Sequence, residues 1–235
     1  MKILNVLFPL VILLAAAASG TARGQDSEEA TFYPDPTRFE GDVAAFEAED
    51  SVAFPPSGAW LCIGSSSMRM WHETIAKDLA PLVVIPRGFG GSTMLDVLYF
   101  AGRIVLPYRP SDILLYEGDN DIDFGVPPEQ VSDVFGAFVL RVRGALPETR
   151  IHLLSIKPSI ARWDKWPAME KANALMAAQC ATDSLLQFID VATPMLGPDG
   201  KPRPELFLED GLHMNAAGYA VWTGVVREAL GLGSP

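Results

Sequence analysis

The sequence predicts an α/β fold of three layers, a parallel β-sheet covered by helices on both faces. Two observations carry that reading: five short apolar runs bounded by Gly, Pro, Asp or Ser, and the helical patterns that alternate with them. A chain of 235 residues, 49% hydrophobic and 20% charged, suits one domain with a single filled core. Strands that alternate with helices enter a parallel sheet through right-handed crossovers, and ligands then bind where the strands end at their carboxyl side.

The elements follow in order. Lys2 precedes an almost wholly apolar run over 3–18, and small residues continue to Ala22. This is the pattern of a secretory signal peptide, 1–22, cleaved after Ala22 or Gly20. The run is shorter than the roughly 20 residues a spanning helix needs, so the expectation is a secreted or periplasmic protein without stable membrane insertion after signal removal. Residues 23–56 are acidic and Pro-bearing, with a helical pattern over 39–49, and read as an arm packed on the domain formed by 57–235.

Strands are expected at 59–63, 82–85, 113–116, 151–156 and 186–189. The clearest helix places Val131, Val134, Phe135, Phe138, Val139 and Val142 at helical spacing behind Pro127 and Pro128, and stops at Pro147. A second covers 168–180 after Pro167. A third covers 216–230, with Asn215 as its N-cap and Gly231 past its end.

The turns that leave the strands carry the chemistry. The first strand runs into Gly64-Ser65-Ser66-Ser67 and a helix, a good position for a nucleophile, though a capping serine would also explain one of the three. The second exits into Arg87-Gly88-Phe89-Gly90-Gly91-Ser92, where the backbone can approach a ligand closely or merely turn tightly. It has neither the dinucleotide fingerprint nor the P-loop lysine.

The third exits into Glu117-Gly118-Asp119-Asn120-Asp121-Ile122-Asp123, where the Asn120 amide can donate to a developing oxyanion. Its alternating acids also evoke a calcium loop, but Gly125 is one place late and Gln130 stands where the Glu belongs, so no metal is expected. Asp210-Gly211-Leu212-His213 precedes the last helix, so that the acid can hold one ring nitrogen while the other faces a nucleophile. Of three histidines, His152 lies inside a strand and His72 on the helix after Ser66. A serine in need of a base therefore has His213 as its candidate.

Taken together in this order, Gly64-Ser65-Ser66, Gly91, Gly118-Asp119-Asn120-Asp121 and Asp210-Gly211-Leu212-His213 resemble the SGNH hydrolases, also called GDSL esterases, over about 59–230. The resemblance implies a five-stranded parallel sheet of flavodoxin-like order. It implies Ser66 as nucleophile with Asp210 and His213 completing a triad, and the Ser66 N–H, Gly91 N–H and Asn120 amide as oxyanion donors. The sequence departs from the name-giving pattern at Ser65, where the family has an acid.

The expected activity is hydrolysis of short acyl esters, acetyl foremost, on a small molecule or glycan, without a cofactor. Trp163 and Trp166, after the fourth strand, are candidates to stack on a sugar ring. Two other readings remain: a lysophospholipase or thioesterase with the same chemistry, and an inactive member that binds carbohydrate or protein. A formal charge of −11 repels phosphate backbones and excludes nucleic acid as a partner. Cys62 and Cys180 sit in apolar surroundings, which favours buried thiols over a bridge, and they lack metal-ligand spacing.

Overall fold

The computed structural model describes residues 33–233. The signal peptide expected over 1–22, and the first part of the arm, lie outside them. Strands β1 (Trp60–Gly64), β2 (Val84–Gly88), β3 (Asp112–Tyr116), β4 (Arg150–Leu154) and β5 (Leu186–Ile189) form one parallel sheet in the order β2-β1-β3-β4-β5, the flavodoxin-like order the resemblance implies. In register, Trp60 stands beside Val84 and Asp112, and Gly64 beside Gly88 and Tyr116. The first three exits therefore share one edge.

Alternation along the strands divides the side chains between two cores. Leu61, Ile63, Ile85, Ile113, Leu115, Ile151 and Leu153 pack under helices α1 (Glu40–Val52), α4 (Met94–Ile104), α6 (Pro128–Arg143) and α7 (Trp166–Cys180). Cys62, Leu114, Tyr116, Leu154 and Ile189 face α2 (Ser66–Trp71), α3 (Ile75–Asp78) and α8 (Ala216–Ala229). Each buried aromatic or branched residue contributes about 1.5–3 kcal/mol, so the expected stripe, of which Val131, Phe135, Phe138 and Val142 are wholly buried and Val134 and Val139 half-buried, secures α6 by several such increments.

Sequence and structure differ at several elements. β2 begins two residues late and runs on through Pro86, just past the expected end at 85; β2 is an edge strand, where a missing N–H costs little. β4 ends at Leu154 rather than 156. The whole of α4 was unforeseen, although its signal is present: Thr93 and Asp96 form a reciprocal capping box ahead of the buried Val97, Phe100, Ala101 and Ile104.

Two glycines allow the carboxyl edge to close. A Cβ on Gly64, at φ +148°, would lie 2.1 Å from the Tyr116 carbonyl oxygen, and one on Gly88 would lie 2.3 Å from the Arg69 backbone nitrogen. The first lets β1 turn against β3, and the second seats α2 directly on β2. Gly64→Ala is accordingly expected to cost about 3 kcal/mol or more, a drop of roughly 10 °C in Tm or loss of soluble protein, measurable by thermal circular dichroism.

Candidate active site

Residues far apart in the chain meet at this edge because α2 and α8 share an aromatic seam. Trp71 packs against Trp222 at 5.9 Å and Tyr219 at 6.0 Å, Tyr116 lies 4.8 Å from Trp222, and the Tyr219 hydroxyl donates to the Ser67 carbonyl at 2.8 Å. Asn215 caps α8 as expected, its Oδ1 accepting the Ala217 and Gly218 N–H groups while its Nδ2 donates to the Glu205 and Phe207 carbonyls. The Leu208 N–H donates to the His213 carbonyl, which ties the histidine loop to the preceding turn.

The imidazole thus reaches the first strand exit. His213 Nε2 lies 3.0 Å from Ser66 Oγ, and Nδ1 lies 2.6 Å from Asp210 Oδ2. The other Asp210 oxygen accepts the Leu212 and His213 N–H groups, each at 2.9 Å. Hydrogen bonding to the His213 ring, then to those N–H groups, holds the Asp210 carboxyl down at about 2. It is therefore ionised throughout the working range, and its Nδ1 contact leaves Nε2 facing the serine as acceptor.

Neither of the other histidines competes. His72 Nε2 accepts the Gly88 N–H at 2.8 Å, and burial, then the charges of Arg87 and Arg69, lowers its ring to about 4. His152 is buried as expected, stacked on Trp60 and held between Asp112 and Gln187, towards the amino ends of the strands. Both cysteines are free and buried, and burial lifts Cys62 to about 12 and Cys180 to about 11, far from a reactive thiolate.

Among the described residues the Gly91 N–H has no backbone or side-chain acceptor. Its turn is held by the third exit: Asn120 Nδ2 donates to the Ser92 carbonyl at 2.8 Å, Ser92 Oγ donates to Glu117 at 2.5 Å, and the Met94 N–H donates to Asp121 at 3.0 Å. One Asn120 N–H remains beyond the bond to Ser92. The expected turn over 117–123 contains a short helix, α5 (Asp119–Asp123), with Asn120 in it.

The acids of that segment have structural partners, Arg162 being shared by two of them. Asp119 meets Lys157 and Arg162, Asp121 also accepts the Tyr33 hydroxyl, and Asp123 meets Arg162 and Lys165. Burial raises Asp121 to about 7 and pushes Glu117 well above the carboxylate range. From the arm, Arg38 reaches Asp96 at 2.5 Å, and Phe39 meets Phe89 edge-on at 5.1 Å.

One of the two tryptophans is placed otherwise than expected. Trp166 is 7% exposed and belongs to the core, because α7 begins at Trp166 itself and turns the ring inward. Trp163 is half-buried and lies nearly parallel to it, 6.0 Å between centroids. The Trp166 ring is thereby corrected from sugar platform to packing residue. What the sequence reading missed is Arg162, whose Nη1 donates to Asp119 at 2.6 Å and to Asn120 Oδ1 at 3.0 Å.

Comparison with known proteins bears on the fold and the family. Among solved structures, the chain is similar to a GDSL-like lipase from Bacteroides thetaiotaomicron (18% identity, 81% of this chain, 97% of that one, TM-score 0.68). It is also similar to a catalytic mutant of an acetylxylan esterase from Geobacillus stearothermophilus (14% identity, 75% and 95%, TM-score 0.61). At such identities the likeness is one of fold. No curated protein sequence matches. The model of the GDSL-like lipase/acylhydrolase family matches residues 50–221, most of the chain, and this protein belongs to that family.

Proposed function

We propose that this protein is a secreted serine esterase that removes short acyl groups, acetyl foremost, from a hydroxyl-bearing small molecule or glycan. One observation carries the reading: Ser66 Oγ, the His213 ring and the Asp210 carboxylate stand in a continuous hydrogen-bonded line. Ser66 attacks the ester carbonyl as His213 Nε2 takes its proton, and the ionised Asp210 stabilises the imidazolium without taking the proton itself. The Ser66 and Gly91 N–H groups and the free Asn120 N–H receive the oxyanion. His213 then protonates the departing alcohol, and a water activated by the same ring releases the acid from Ser66.

The exposure of the site supports an accessible ester. Ser66 is partly exposed and the Asp210 side chain is 47% exposed, so the site is open rather than a tunnel for a long chain. The apolar signal-like start of the sequence supports export. A longer acyl chain is the second reading, favoured by Ile160 and Leu208, 46% and 42% exposed, whose N–H groups bond to the Gly211 and His213 carbonyls of the histidine loop.

A series of p-nitrophenyl esters from acetyl to palmitoyl separates the two. The expected result is a kcat/KM highest at acetyl or propionyl and at least about tenfold lower by octanoyl, each misfit methylene group changing binding by roughly 1 kcal/mol. A maximum at octanoyl or beyond selects the second reading, and no hydrolysis of any member rejects both.

A further inference from the structure

We infer that Arg162 is a positioning residue for the oxyanion site, acting through Asn120; this rests on the serine-esterase reading above. An oxyanion donor is useful only when its N–H is fixed before the charge develops, and the Asn120 amide is fixed at both ends. Its nitrogen is held by the Ser92 carbonyl and its oxygen by the Arg162 guanidinium at 3.0 Å. A cation on the amide oxygen draws density from the nitrogen, so the remaining N–H becomes a stronger donor as negative charge appears on the substrate.

Arg162 is itself held by two carboxylates. Its Nη1 is 2.6 Å from Asp119 and its Nη2 is 2.9 Å from Asp123. Burial would raise the Asp119 carboxyl, but Lys157 and Arg162 outweigh it and keep that group below the carboxylate range. The preceding residues complete the frame: the Ile160 and Ala161 N–H groups both donate to the Gly211 carbonyl, at 2.9 and 3.0 Å, between Asp210 and His213. One short segment after β4 thereby sets the oxyanion donor on one side and the histidine loop on the other.

The test is a double-mutant cycle with Arg162→Met, Asn120→Ala and the pair, assayed on the best ester of the series. Arg162→Met is expected to lower kcat by roughly 10- to 100-fold with KM within about threefold, part of the 10²–10³-fold loss from removing an oxyanion donor. On the Asn120→Ala background the same change is expected to cost less than about threefold, and Arg162→Lys to recover part of the rate.

Losses that multiply, or a fully active Arg162→Met while Ser66→Ala and Asn120→Ala are impaired, overturn the inference and leave the esterase reading intact. A fully active Asn120→Ala removes the donor and the inference with it. Should Arg162→Met fail to fold, Arg162→Lys carries the same cycle with a smaller loss.

Discussion

Ser66→Ala is expected to lower kcat on acetyl esters by about 10³-fold or more while leaving Tm within a few degrees of the parent. The substitution removes only the oxygen that His213 Nε2 faces at 3.0 Å and leaves the α2 backbone where the Gly88 contact seats it. The residual rate reports what the N–H donors supply alone. Ser65 and Ser67 are the controls: both are buried, 2% and 3% exposed, and neither hydroxyl meets the imidazole. A Ser67→Ala protein that loses activity while Ser66→Ala keeps it would move the nucleophile by one residue.

His213→Ala is expected to match that loss, and the Ser66→Ala/His213→Ala protein to be no more than a few fold slower than the slower single variant. Groups that act as one unit do not lose their contributions independently. The parent enzyme should also lose kcat/KM in acid with a limiting slope of one, since a protonated Nε2 cannot accept the serine proton. Asp210, held at about 2, is already ionised and adds no second step. A plot of log kcat/KM against pH that stays flat from neutral into acid would reject His213 as the base.

Local signals were readable where one short stretch contains both cause and effect. Asn215 caps the helix that follows it, Asp210 is three residues from the ring it holds, and the α6 stripe repeats within four turns. The five strands were legible from runs of apolar residues, but β2 slipped because Pro86 reads as a breaker unless the strand is known to lie at an edge. Partners distant in sequence left no such mark. Arg162 meets Asn120 across 42 residues, and nothing in the composition of either segment names the other. Trp166 misled for the same reason: its position after a strand was readable, whereas the inward turn of α7 was not.

The arm widens what counts as the enzyme. Tyr33, Arg38 and Phe39 stand ahead of residue 50, where the family's shared pattern begins, yet they touch Asp121, Asp96 and Phe89 on the segments that frame Gly91 and Asn120. A shorter polypeptide cut at that boundary would keep every reacting atom and strip the phenol and guanidinium from two carboxylates sunk behind the donors. The donors of this chain are therefore backed by a stretch that lies outside the matched signature.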